Sequence, residues 1–430
     1  MEFLEFDQNQ LINMLKEERK LFKRLQKADK TVDMTRGRPE SSQLDISMPM
    51  LSNAGEYNYC IDGIDLRNYG GLQGIKPARQ LFADLLDCRL DEVVVADGSS
   101  LDLMYTVMQF AMQFGVLGST PWNQLKKVKF ICLTPGYDRH FAICEHFGIE
   151  MIAVRLRDDG PDMDIIEKLV RDDESIKGIW CVPKYSNPSG ITYSDKAVER
   201  LATMKTAAKD FRIFWDNAYL VHDLYEKGDK LKNIFEVARK AGTLDRVYAF
   251  TSTSKITFAG SGLAVFASSV DNVDAITKEL FFKTIGPNKV NQVMHVNFLK
   301  DEDNIKEIMK QHADILRPKF QLFDEKLTAE FEGDKYVIWS KPKGGYFISL
   351  DVKNCAKRIV ELAGEAGVKL TPAGSSFPYK MDDLDENIRI APSVPTLEEM
   401  EYATEVIISA IKQARIERVL HKVHQIKDID

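Results

Sequence analysis

Between residues 91 and 267 of this 430-residue chain, short apolar runs alternate with amphipathic stretches, and that alternation is what most constrains the fold. Val93-Val94-Val95, residues 128–132, residues 178–181, Ile213-Phe214-Trp215 and Val247-Tyr248-Ala249-Phe250 are apolar at nearly every position, as strands are when helices cover both faces of a sheet. After the first run and its Gly98-Ser99-Ser100 turn, Leu101, Met104, Tyr105 and Met108 recur at helical spacing. Strands separated by helices need crossover connections, so the expectation is an α/β fold with a largely parallel sheet. The chain is long enough for more than one core. Residues 300–326, with Ile305, Ile308, Met309, Ala313, Leu316 and Phe320 on one face, read as a long helix bridging to a C-terminal unit. Residues 9–27, with Leu11, Ile12, Leu15, Phe22 and Leu25, read as a helix packed on that unit or on a partner chain. The expected division is residues 1–50 as a helix and arm belonging to the small domain, 51–300 as the large domain, and 301–430 as the small domain with its bridging helix. Residues 421–430 read as a frayed helix end.

The net charge is −7 with acids and bases interspersed, so no basic stripe calls for nucleic acid. No apolar run reaches membrane-spanning length, and Met1-Glu2-Phe3-Leu4-Glu5 lacks a basic leader region, which points to a cytoplasmic protein without a membrane partner. Six cysteines without a Cys-x-x-Cys pair read as reduced thiols, and seven histidines show no metal spacing, so no metal is expected.

Chemistry gathers where the apolar runs end. Lys255 follows one of them inside Thr251-Ser252-Thr253-Ser254-Lys255, and a lysine amine becomes a nucleophile where burial or nearby charge lowers its proton affinity. Gly98, Ser99 and Ser100 join a strand to a helix N-terminus, where unsatisfied amides can cradle a phosphate; equally, a serine there can simply cap the helix. Tyr137, in Thr134-Pro135-Gly136-Tyr137, can stack on a flat ring or pack a loop. Asn187, in Asn187-Pro188-Ser189-Gly190, sits in a turn sequence yet can donate to a phenolate. Asp216 ends the run Ile213-Phe214-Trp215 and can pair with a protonated pyridine nitrogen or cap the following turn.

Taken in order, these segments resemble the fold type I enzymes that depend on pyridoxal 5′-phosphate (PLP). The match is to the class I/II aminotransferases, nearest to a divergent bacterial aspartate aminotransferase-like subgroup, over residues 36–395. The resemblance implies a large domain with a mostly parallel seven-stranded sheet, whose one antiparallel strand would be residues 263–267, and a smaller α+β domain. It implies that Lys255 forms the Schiff base and shuttles the proton, that Asp216 and Tyr219 contact the ring nitrogen and phenolic oxygen, and that Asn187 contacts cofactor and substrate. Tyr137 would stack on the ring, and Gly98, Ser99, Ser100, Ser252 and Ser254 would surround the phosphate. Asn68-Tyr69-Gly70-Gly71-Leu72-Gln73-Gly74 resembles the segment whose tyrosine reaches the neighbour's phosphate, which implies a homodimer with Tyr69 contributed across the interface. Arg389, in Asn387-Ile388-Arg389-Ile390-Ala391, matches the arginine that clamps the substrate α-carboxylate through two parallel hydrogen bonds. Lys343-Gly344-Gly345-Tyr346-Phe347 is similar to a turn that closes over substrate.

One position departs from the pattern: Leu263 stands where relatives carry a phosphate-binding arginine. For a second substrate carboxylate, Arg36 and Arg38 are candidates, as are Lys283 and Asn288 in the segment where relatives send a loop into the neighbouring subunit's site. The activity implied is ping-pong transamination between L-aspartate and 2-oxoglutarate. An aromatic or aminoadipate aminotransferase, a β-lyase and a PLP-binding sensor without turnover are the other readings; the sensor normally carries a DNA-binding domain of about seventy residues ahead of this segment, and here about thirty residues precede Arg36.

Overall fold

The computed structural model describes residues 3–423; part of the expected frayed end, 424–430, lies outside the described residues. Its main sheet runs, edge to edge, through Val93–Asp97, Leu263–Ala267, Val247–Ser252, Arg212–Asp216, Ile176–Cys181, Lys129–Thr134, Glu150–Arg157 and Gly160–Pro161. The strands from Val247–Ser252 to Glu150–Arg157 pair parallel. Leu263–Ala267 is antiparallel to both its neighbours, as expected. Seven strands are long, and the eighth is a two-residue addition, Gly160–Pro161, that folds back on the edge strand. So short a piece ending in proline carries no strand signature of its own.

Strand geometry divides the apolar runs between two cores, because successive side chains point to opposite faces. Val93, Val95, Ile131, Ile179, Ile213, Trp215, Val247 and Ala249 enter one cluster. Their neighbours Val94, Phe130, Cys132, Trp180, Phe214, Tyr248 and Phe250 enter the other. The strand Glu150–Arg157 exposes Glu150, Ala153, Arg155 and Arg157 and buries Met151, Val154 and Leu156, as a strand covered on one side should.

A second, antiparallel sheet of Val337–Trp339, Ile348–Val352 and Asn387–Ile390 packs with helices Glu302–Phe331 and Leu397–Val423 around a core of its own. The long helix extends past residue 326 because Phe323, Leu327 and Phe331 continue its buried face. The chain's beginning joins this unit. Helix Gln8–Gln26 starts at an Asp7 cap and lies on Leu397–Val423 through Leu11, Leu15, Ile416 and Leu420. Val32–Asp33 then pairs parallel with Val368–Lys369, which fixes the path of residues 34–39.

Phe214 lies at the centre of the aromatic layer beneath the sheet, with ring centroids 4.6 Å from Trp180, 5.5 Å from Phe130, 5.6 Å from Tyr248 and 5.8 Å from Phe250. Replacing it by alanine opens a cavity that rigid strands cannot collapse. We expect Phe214→Ala to cost about 3–5 kcal/mol in denaturant unfolding; a loss below about 1 kcal/mol would mean that the layer repacks around the gap.

Candidate active site

The carboxyl ends of the parallel strands and the loops after them surround a cavity of about 550 Å³. Arg36, Arg38, Ser99, Ser100, Tyr137, Asn187, Asp216, Tyr219, Ser252, Ser254, Lys255 and Arg389 all line it. Segments scattered over more than three hundred residues therefore converge on one volume.

Lys255 follows strand Val247–Ser252, with its Nζ 5.2 Å from the centre of the Tyr219 ring and 5.9 Å from that of Tyr346. Burial lowers its proton affinity below that of an ordinary lysine, and the negative charge of Asp216 opposes that shift. Asp216 ends the neighbouring strand and is itself buried. Its Oδ2 is 3.0 Å from His140 Nε2, while Oδ1 has no hydrogen-bond partner. Asn187 Oδ1 is likewise buried without a partner. Buried acceptors left unmatched are costly, so Asp216 Oδ1 in this cavity marks a place for a ligand group that donates to it.

Tyr219 is buried, and desolvation holds its phenol well above the usual tyrosine range. Tyr137, at the start of helix Asp138–His146, is pushed up to about 12, first by desolvation and then by the charges of Asp216 and Asp138. Both phenols therefore stay protonated near neutral pH.

At the other end of the cavity Ser99 occupies the N-cap of helix Ser100–Phe114, but its side chain makes no capping hydrogen bond. The hydroxyl and the first-turn amides are thus available to an anion. Gly98 reaches this turn with φ +84°, which a side chain would strain, and its N–H donates to Gly262 O at 3.1 Å. Ser252 Oγ donates to Ser254 Oγ at 3.2 Å on the facing turn. Leu263 is fully buried in the sheet core, and its N–H donates to Thr253 Oγ1 at 2.9 Å, so that strand brings no cation to the anion end.

Arg389 comes from the small sheet, where it is paired in register with Ser349. Its Nη1 donates to Asp138 Oδ1 at 2.7 Å, and Nη2 donates to Thr35 O and Thr371 Oγ1 at 3.3 Å each. The guanidinium lies 5.2 Å from the centre of the Phe347 ring, and Nε is buried without a partner. Arg36 and Arg38 are exposed, and neither makes an ion pair or side-chain hydrogen bond among the described residues. Gly37 between them faces Phe347 so closely that an added Cβ would lie 2.6 Å from the ring.

Four expected residues do not line this subunit's own cavity: Gly98, set back in its turn, and three that were expected to serve a partner subunit's site. Lys283 Nζ donates to Thr106 Oγ1 at 2.6 Å, Asn288 caps helix Lys289–Leu299, and Tyr69 is 81% exposed on the surface; none lines the cavity. The lining and the layer directly behind it contain residues that sequence reading did not single out. His140 braces Asp216 while its ring stacks on Trp180 at 4.4 Å, and Asp138 and Arg139 line the mouth. A signal for His140 was present in its position three residues after Tyr137, on the same face of the helix that begins there.

These groups suit PLP. The unmatched Asp216 Oδ1 would suit a protonated ring nitrogen, the unmatched Asn187 side chain lies on the same cavity, and the uncapped Ser99 turn with Ser252 and Ser254 would offer neutral donors to a phosphate.

The profile of the aspartate amino-transferase family matches residues 6–423. The chain is 44% identical to an aspartate aminotransferase of Corynebacterium glutamicum over 92% of each chain. It superposes on the crystal structure of an aspartate transaminase from that organism with a TM-score of 0.94 and 42% identity, covering 97% of this chain and 99% of the other. An α-aminoadipate aminotransferase from Thermus thermophilus shares the fold at 19% identity, with a TM-score of 0.72 over 90% and 93% of the two chains. With its sheet order, its strand-end lysine and aspartate and a family match across almost its whole length, the chain belongs to the aspartate aminotransferase family of fold type I, PLP-dependent enzymes.

Proposed function

We propose that this aminotransferase converts L-aspartate and 2-oxoglutarate to oxaloacetate and L-glutamate by ping-pong transamination. The observation that carries this reading is the cavity itself: a buried lysine of lowered proton affinity and a buried arginine share it with two further unpaired arginines. Arg389 would hold the α-carboxylate, since a guanidinium grips a carboxylate in one plane. Arg36 or Arg38 would then meet the second carboxylate that distinguishes aspartate and glutamate from other amino acids.

PLP, when bound, supplies an electron sink and carries the amino group between the two half-reactions. Lys255 would be its attachment point and, as a free amine, would take the proton from the substrate α-carbon and later return it. Asp216 Oδ1 would keep the ring nitrogen protonated, with His140 fixing the carboxylate from behind. Tyr219 and Asn187 would contact the phenolic oxygen, and Tyr137 would cover the ring. Gly98, Ser99, Ser100, Ser252 and Ser254 would take the phosphate, with neutral donors doing the work of the missing arginine at Leu263.

The same reading keeps the division at residues 50 and 300 into an N-terminal arm belonging to the small domain, a large domain and a small domain. It also makes the protein a homodimer. Tyr69, Phe281, Phe282 and Ile285 are 81, 67, 78 and 65% exposed. The loops carrying Tyr69 and Ile285 adjoin, because an added Cβ on Gly286 would lie 2.4 Å from Gly70 O and Lys289 Nζ donates to that oxygen at 2.7 Å. A partner covering this face would bring Tyr69 to the neighbouring phosphate. A cytoplasmic location fits the free thiols, and no described helix is long and apolar enough to cross a membrane.

Substrate choice is tested by adding L-amino acids singly to the PLP-loaded protein and following the cofactor absorbance. Aspartate and glutamate should convert it fastest, and Arg36→Ala or Arg38→Ala should raise KM for aspartate about tenfold or more while alanine changes little. Equal conversion by aromatic amino acids, with both variants unaffected, would overturn the dicarboxylate assignment. For assembly, sedimentation equilibrium should give twice the chain mass; a fully active monomer would rule out an intersubunit Tyr69.

A further inference from the structure

We propose that Asp138 is a built-in occupant of the carboxylate seat at Arg389, which incoming substrate must displace, so that this one side chain lowers the affinity of the site for the acids it takes. The inference rests on Arg389 being the α-carboxylate clamp, and it goes beyond that assignment by naming what holds the clamp when no substrate is there.

Asp138 Oδ1 accepts from Arg389 Nη1 at 2.7 Å inside the cavity that also holds Lys255. A substrate carboxylate gripping Arg389 through Nη1 needs the position that this oxygen fills. Arg389 needs some such partner, because a buried guanidinium without a carboxylate is expensive. Substrate binding at this arginine is therefore an exchange of one carboxylate for another. Only the difference between the two contacts is available to drive it.

Exposure decides which side chain gives way. The side chain of Arg389 is 5% exposed and that of Asp138 is 34% exposed, so Asp138 can turn towards solvent while Arg389 stays. A released Asp138 also keeps one favourable interaction. It is the first residue of helix Asp138–His146, where the positive end of the helix dipole stabilises a carboxylate.

The competing explanation is that Asp138 orients Arg389. Other groups already do so: Thr35 O and Thr371 Oγ1 accept from Nη2, and the Phe347 ring lies 5.2 Å from the guanidinium carbon. Orientation by Asp138 would thus be redundant. The two explanations differ in the sign of the effect when the charge is removed.

Calorimetric titration of the PLP-loaded protein with succinate, an unreactive dicarboxylate, reads that sign without turnover. Asp138→Asn keeps the shape and removes the competing charge; it should bind succinate about tenfold more tightly, a gain of about 1.4 kcal/mol, and KM for L-aspartate should fall in parallel. Asp138→Glu retains a competing carboxylate and should stay well below Asp138→Asn in affinity. Unchanged or weaker binding by Asp138→Asn overturns the proposal, weaker binding being the mark of an orienting role. Arg389→Ala separates the two assignments: if it binds succinate like the parent protein, the clamp itself is misassigned and the proposal falls with it.

Discussion

Parallel pairing of Val247–Ser252 with Arg212–Asp216, and of that strand with Ile176–Cys181 and then Lys129–Thr134, brings four carboxyl ends to one edge of the sheet. Everything chemical in the molecule depends on that alignment. Register places Asp216 beside Phe250, just ahead of Lys255 in the chain, and Asn187, from the loop after the next strand, lines the same cavity as both. Loops after parallel strands open on the same side, and a cleft forms where they separate. The antiparallel strand Leu263–Ala267 closes the far side and brings Gly262 against the Gly98 turn.

Within the cleft, burial is used in two opposite ways. Around Lys255 it weakens the hold on a proton, which an ammonium in water would keep. Around Asp216 it is compensated on one oxygen by His140 and left unmatched on the other. The aromatic layer supports this arrangement, since Phe214 packs on Trp180, Trp180 stacks on His140, and His140 holds the carboxylate. A core residue and the site carboxylate are thus three contacts apart. The arginines complete the electrostatics: Arg389 is buried and partnered, whereas Arg36 and Arg38 stand free on a segment whose backbone is pinned by Thr371, Arg389 and Ser393.

Much of this was legible in the sequence because the informative residues sit at ends of apolar runs, where period and turn chemistry are strongest. Lys255, Asp216, Asn187, Tyr137 and the Gly98-Ser99-Ser100 turn were all found that way, and all but Gly98 line the cavity. His140 was not, since its one local signal, a place three residues after Tyr137, does not single out a histidine until Trp180 and Asp216 are seen around it. Asp138 and Arg389 are 251 positions apart, and no local pattern announces their contact. Lys283 and Asn288 stand as candidates on a loop reaching a neighbouring subunit's site; within the single chain one donates to Thr106 and the other caps a helix. The strand Gly160–Pro161 was invisible because two residues have no period.

The central claim is that Lys255 is the residue to which PLP attaches. Borohydride reduction of the PLP-loaded protein fixes the cofactor to the lysine amine that holds it, and peptide mass mapping then locates the label. The account predicts one labelled peptide, carrying Lys255, and no label in Lys255→Ala. Label on another lysine, such as the buried Lys184 that pairs with Asp223 at 2.9 Å, or an unlabelled protein that still transaminates, would contradict it.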